Sequence, residues 1–168
     1  MTVTQFASLQ NYKKGGVQVI DDDARNYVFS NLFEVAAKAA PYERVAIGKN
    51  FEYVIEVTCA AGSSPWFSCA HDEFVLSMDG RVEIHLIKLS DPHGVVPAHS
   101  QGAHRLATEL PDGQKMGRII LSRGHMALLP AGSAYRFHAD VPAALVLQTL
   151  QGPLTIEKWA EICQTSAS

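Results

Sequence analysis

Cysteine is scarce in this sequence: Cys59, Cys69 and Cys163 are the only three among 168 residues, and no two stand in a CxxC spacing. An odd count without that spacing excludes a disulfide framework and a zinc knuckle, and leaves reduced thiols as the expectation. Long apolar runs are missing as well. No window reaches the ~18 apolar residues that span a bilayer, and the N-terminus lacks the basic-then-apolar pattern of a leader. We therefore expect no membrane partner and a cytoplasmic protein. Charge of one sign is not in excess either. The 14 basic and 17 acidic residues give a net charge of only -3 and are scattered along the chain. No basic stripe exists to grip phosphates, which argues against nucleic acid as a partner. Internal repeats and low-complexity tracts are absent.

What is there is enough apolar material for one core. Hydrophobic residues make up 47% of the chain, and the length is that of a single domain. Residues 1–23 are polar and irregular and read as an N-terminal arm, with Phe6, Leu9 and Tyr12, followed by Val17, Val19 and Ile20, as apolar anchors for a partner surface. Residues 24–168 form the domain, with a barrel core over about 45–151. Val28, Leu32, Val35, Ala36 and Ala39 recur at helical spacing, which predicts a helix from Ala24 to Ala40 with Asp23 as its cap and Pro41 as its stop.

Beyond that helix the period changes to two. Tyr53 to Cys59 is rich in β-branched and aromatic residues and reads as a strand. Phe74–Met78 and Arg81–Ile87 read as two strands joined in a hairpin at Asp79-Gly80. From Asp91 to Gly117 the pattern lapses into a long insertion that holds His93, His99 and His104. Arg118–Leu121, Met126–Leu129, Tyr135–His138 and Ala143–Leu150 then read as further short strands, and Thr155–Cys163 as a short C-terminal helix. Such a series suits a closed antiparallel barrel.

Two segments carry the most specific spacing. Glu73 lies seven residues before Gly80, and Gly124-His125-Met126-Ala127-Leu128-Leu129-Pro130-Ala131-Gly132 leads into Tyr135. Over about Tyr53 to Leu150 the chain resembles the cupins, and these segments have the frames of the two cupin motifs. Placed in that register, the four positions that would hold a metal become Phe67, Cys69, Glu73 and Tyr135, a set without an imidazole. The resemblance implies a mainly β fold, the jelly-roll (double-stranded β-helix) barrel, with the arm and helix before it and the short helix after it.

More narrowly, the segments 25–36, 70–76 and 123–132 resemble the small (alpha) subunit of the two-subunit hydroquinone 1,2-dioxygenases. That resemblance implies a heteromeric non-haem Fe(II) enzyme of para-nitrophenol and hydroquinone breakdown, cleaving hydroquinone with dioxygen to 4-hydroxymuconic semialdehyde. The iron would sit in the large subunit, this chain would hold none and carry no catalytic residue, and two small and two large chains would form a heterotetramer.

Other uses of the residues stay open at this point. Trp66, Phe67, Glu73, Tyr135 and Phe137 could line a vacant pocket, which would suit a non-catalytic cupin that binds a small aromatic molecule. A stand-alone metal-dependent dioxygenase would need His71 and a loop histidine to join Glu73. We expect instead that His71 packs or hydrogen-bonds, that His85 faces solvent or is satisfied half-buried, that His125 serves its turn, that no metal gathers at His93, His99 and His104, and that Cys69 is a buried, inert thiol.

Overall fold

The computed structural model describes residues 6–15, 18–23 and 30–163. After the arm come α1 (Leu32–Lys38), β1 (Arg44–Asn50), β2 (Tyr53–Ser63), β3 (Phe67–Ser68), β4 (Glu73–Asp79) and β5 (Val82–Leu89). The chain continues through α2 (Pro92–Val95), β6 (His104–Arg105), β7 (Gly113–Leu121), β8 (Met126–Leu129), β9 (Ser133–Leu150), β10 (Thr155–Ile156) and α3 (Trp159–Ile162).

The barrel is organised around β9, an 18-residue strand that the sequence pattern had divided at Ala139–Pro142. Along one edge it pairs with β2, from Tyr53↔Leu150 to Ser63↔His138, and then with β3 at Phe67↔Tyr135. Along the other edge β5 takes the first half, Glu83↔His138 to Lys88↔Ser133, and β4 the second, Phe74↔Gln148 to Asp79↔Ala144. The exposed Asp140, Val141 and Pro142 mark the bend between the halves. A strand this long cannot stay in one flat layer, so it curls from one wall of the barrel to the other.

That curl overturns the predicted hairpin. Although β4 and β5 follow one another through Asp79-Gly80, they do not pair: β4 bonds β8 and β9, and β5 bonds β7 and β9. The turn is a corner between walls. Gly80 takes φ 75°, and a Cβ there would lie 2.6 Å from the Cβ of Ala143, so glycine is required by close approach as well as by backbone angle.

Three other boundaries differ from the sequence reading. Helix α1 begins at Leu32, and its cap is Asn31, whose side chain accepts from the amides of Phe33 and Glu34; the remainder of the expected helix, Ala24 to Phe29, lies outside the described residues. The insertion is shorter than Asp91–Gly117, because β7 starts at Gly113 and pairs with β5 from Leu89 to Val82. The C-terminal segment gives a two-residue strand parallel to β1 and a helix of only four residues, since Thr155 is drawn into the sheet.

Alternation along the strands sorts the side chains. Val75, Leu129, Leu145 and Leu147 point inward with Phe67, Tyr135 and Phe137 and form the barrel core. On the outer face of β1, β2 and β9, Phe33 and Val35 of α1 cover Val45, Val57 and Ala144, with Leu9 and Tyr12 of the arm packed against the same cluster. The Leu9 amide also donates to Asp79 at 2.8 Å. Among the described residues, no helix is long and apolar enough to cross a membrane.

Asn31 caps α1 and also donates its Nδ2 to the Lys13 carbonyl at 2.6 Å. We predict that Asn31→Ala lowers stability by about 1–2 kcal/mol, measured by urea unfolding, and exposes the arm to limited proteolysis.

Candidate functional site

Of the four positions expected from the sequence, Cys69, Glu73 and Tyr135 gather inside the barrel around a side chain that the sequence reading did not single out, and Phe67 packs against Tyr135. Arg44, the first residue of β1, turns inward and is 4% exposed. Its Nε donates to Glu56 Oε2 at 2.5 Å, its Nη2 to Glu73 Oε1 at 2.6 Å, and its Nη1 to the Tyr135 hydroxyl at 3.1 Å. Tyr135 in turn donates to Glu73 Oε2. Thr155 of β10 donates to Glu56 Oε1 at 2.6 Å, and the Cys69 thiol and Thr149 hydroxyl lie near enough to Glu73 to favour its charged form.

One guanidinium therefore lies between two carboxylates, with hydroxyl and thiol donors spreading the remaining negative charge. Burial works to raise the Glu73 carboxyl, but the Arg44 charge and the donors Cys69, Tyr135 and Thr149 outweigh it and hold Glu73 below the usual carboxylate range. Burial and the neighbouring Glu73 carboxylate push the Tyr135 phenol and the Cys69 thiol up. Burial opposes the Arg44 charge, yet Glu73, Tyr135 and Glu56 keep the guanidinium protonated.

This donor set does not fit iron. A ligand must be deprotonated. Of the four positions, Phe67 has no donor, Cys69 and Tyr135 keep their protons, and Glu73 is already bound to a fixed cation. Among the described residues, no three His, Cys, Asp or Glu side chains are arranged to hold a metal ion. The Cys69 thiol is 2% exposed, and burial beside the Glu73 carboxylate keeps its proton on.

The remaining candidates fall around this centre. Phe67, Tyr135 and Phe137 pack ring against ring, with centroids 5.9 and 5.5 Å apart, and Tyr42 stacks on Phe137 at 6.3 Å. Trp66 is 5% exposed, donates to the Glu109 carbonyl at 3.0 Å and carries the Arg136 guanidinium over its ring. It packs in a separate cluster with Ile87, Leu89, Leu106 and Ala134. A hollow of about 400 Å³ opens at the barrel mouth, and Tyr42, Arg44, Phe67, Arg105, Leu154 and Ile156 are among its walls.

His71 accepts from the Gly102 amide at 3.0 Å through Nε2, and its Nδ1 lies 2.9 Å from the Asp72 carbonyl. Both nitrogens are thus committed to the backbone. His85 is half-buried, with Nε2 3.5 Å from Glu83, and His125 accepts from the Ser122 amide at 3.2 Å within its turn. His93 and His99 are exposed, and His104 pairs instead with Ser68 across β3 and β6. Phe6, the outermost arm anchor, is 69% exposed beside Arg123.

The signal for Arg44 and Glu56 was present in the strand period. Glu56 alternates in phase with Val54, Thr58 and Ala60, all buried, and a carboxylate on the inward face of a strand requires a buried cation.

Solved structures similar to this chain identify the family. The chain is 63% identical to a chain of hydroquinone 1,2-dioxygenase from Sphingomonas sp. TTNP3 solved with 4-hydroxybenzoate bound, over 99% of this chain and 100% of that one, with a TM-score of 0.96. The chain belongs to the hydroquinone 1,2-dioxygenase family. A second relative, hydroquinone 1,2-dioxygenase PnpCD in complex with Cd2+ and 4-hydroxybenzonitrile, is 52% identical over 98% of both chains, with a TM-score of 0.90. The barrel also matches a longer chain of PnpCD in complex with Fe3+, at 11% identity and a TM-score of 0.61, over 88% of this chain but 41% of that one. That likeness is one of fold. No family model and no curated protein matches the sequence.

The ion cluster makes a prediction with a sign. Glu73 titrates below its ordinary range in the folded protein, so its contribution to stability is present above the unfolded carboxylate pKa and is lost as pH falls through the folded one. Arg44→Met leaves two buried carboxylates without a cation and should cost about 3–5 kcal/mol at neutral pH. Without the Arg44 charge, burial raises the Glu73 carboxyl, and the variant should gain stability on acidification where the parent loses it. Urea unfolding from pH 7 down to about pH 3 measures both slopes.

Proposed function

We propose that this chain is the small, structural subunit of a two-subunit hydroquinone 1,2-dioxygenase that opens hydroquinone with dioxygen to 4-hydroxymuconic semialdehyde. On this reading it works in the cytoplasm, in the catabolism of aromatic compounds such as para-nitrophenol. The observation that carries the proposal is the Arg44 guanidinium seated between Glu56 and Glu73, where a metal-binding cupin would hold its ion. A barrel closed by its own cation has no place for Fe(II) and contributes no catalytic residue.

Iron is then assigned to the longer chain, and bound there it supplies the activation of dioxygen. The two chain lengths matched within this enzyme family support a large partner, and two chains of each kind make the proposed heterotetramer. The exposed Phe6 gives the arm an anchor for that partner. The present chain's part is to fold without a metal and to complete the assembly, with the barrel-mouth hollow, one wall of which is Phe67, as the surface closest to any shared pocket.

Separate purification and recombination test this. Metal analysis should find iron with the large chain and less than about one-tenth of an equivalent in this one, and ring cleavage should appear only when both are mixed. Turnover by this chain alone, with about one iron per chain, would defeat the proposal.

A further inference from the structure

Among the described residues, the outer face of the barrel is covered on one half only. Where β1, β2 and the end of β9 run under α1, the chain buries its own apolar residues with Phe33, Val35, Leu9 and Tyr12. Beyond that cover the same face stays apolar. Ile55, Gln148, Phe74 and Leu128 stand in one in-register row across β2, β9, β4 and β8. A neighbouring row leads from Val146, which packs against the covered cluster, out to Leu76 and Met126, and Tyr53 closes the margin opposite Leu150. An antiparallel sheet with one wet face normally alternates to polar residues there. Here Gln148 is the only polar side chain in the two rows.

These side chains are well exposed: Tyr53 by 57%, Ile55 by 44%, Phe74 by 41%, Leu128 by 43% and Met126 by 65%. Phe51, at the tip of the β1–β2 turn beside Tyr53, adds a ring that is 83% exposed on a backbone with φ 56°. A bulky residue in the left-handed region is strained in isolation. A hollow of about 280 Å³ interrupts the face, walled by Tyr53, His71, Phe74, Gln148 and Leu150 among others. The six exposed side chains together present on the order of 700 Å². That is above the roughly 300–600 Å² of the largest patch on an ordinary monomer and near the ~800 Å² that one partner gives to a stable interface.

We infer that this half-face, centred on Phe74 and flanked by Tyr53, Ile55, Met126 and Leu128, is the docking surface for the longer chain of the enzyme, through an apolar surface of that chain. The inference rests on the two-subunit reading above and adds where the subunits meet. A stable unlike partner is the occupant that fits, because the family's matched chains differ in length and the longer one shares this barrel fold. Two curled sheets of one fold can pack face to face about 10 Å apart. The central hollow receives a protruding side chain, and Phe51 reaches over the rim.

The test uses the full chain and the longer chain of the same enzyme, with Phe74→Glu and Leu128→Lys as separate variants and Val141→Glu as a control, since Val141 is 65% exposed at the bend of β9. Each variant is first compared with the parent by circular dichroism and melting, because these sites are solvent-facing and should tolerate charge. Titration with the longer chain should show at least a tenfold rise in Kd for Phe74→Glu and Leu128→Lys and none for Val141→Glu. Hydrogen exchange of the unmodified pair, which does not depend on the variants folding, should show protection at β4 and the free edge of β8 on complex formation. Unchanged affinity of the folded variants, or protection confined elsewhere, overturns the surface. If the parent chain does not bind the longer chain at all, the two-subunit reading fails instead. If the two substitutions dissociate a dimer of this chain and leave the mixed complex intact, the face belongs to a second copy and the inference is overturned.

Discussion

The fold depends on the bidentate hold of Arg44 on two carboxylates, 2.5 Å from Glu56 and 2.6 Å from Glu73. Around that contact β1 supplies the cation, β2 and β4 the anions, β9 the Tyr135 hydroxyl and β10 the Thr155 hydroxyl. Five strands distant in sequence are fixed to one point. A metal ion would impose a similar constraint by drawing ligands from several strands, and the guanidinium does so from within the chain.

Energetically such a centre is a device for specificity more than for net stability. Taking three charges out of water costs several kcal/mol per ion, and their attraction does little more than return it. The cluster nevertheless penalises any register in which one member is left alone, because an unpaired buried charge is far worse than a paired one. In a sheet, where a one-residue slip reverses every side chain, this penalty selects one pairing. It also explains why the thiol of Cys69 and the phenol of Tyr135 stay protonated beside Glu73.

Much of the fold was legible from period and punctuation, and the misreadings share a cause. Strands such as Tyr53–Cys59 and Met126–Leu129 announce themselves by alternation, which is a local property. Pairing is not local. Asp79-Gly80 has the chemistry of a hairpin turn, yet its strands lie along two halves of β9, and only the length of β9 decides that. Asp140-Val141-Pro142 looks like a break between strands and is instead a bend within one. Thr155 looked helical until Glu56, 99 residues away, claimed its hydroxyl. At the site, the family frame located Phe67, Cys69, Glu73 and Tyr135, but said what was missing and not what replaced it. Arg44 lies outside both motif frames, and only the in-phase Glu56 hinted at a buried cation.

The central claim is that an arginine occupies the place of the metal in this barrel. Thermal unfolding of the isolated chain, in chelator and again with excess Fe(II), tests it most directly, because any ion bound to the folded state raises the melting point with concentration. The account predicts the same melting temperature in both conditions. A saturable rise of several degrees with Fe(II), abolished by Glu73→Gln, would contradict it.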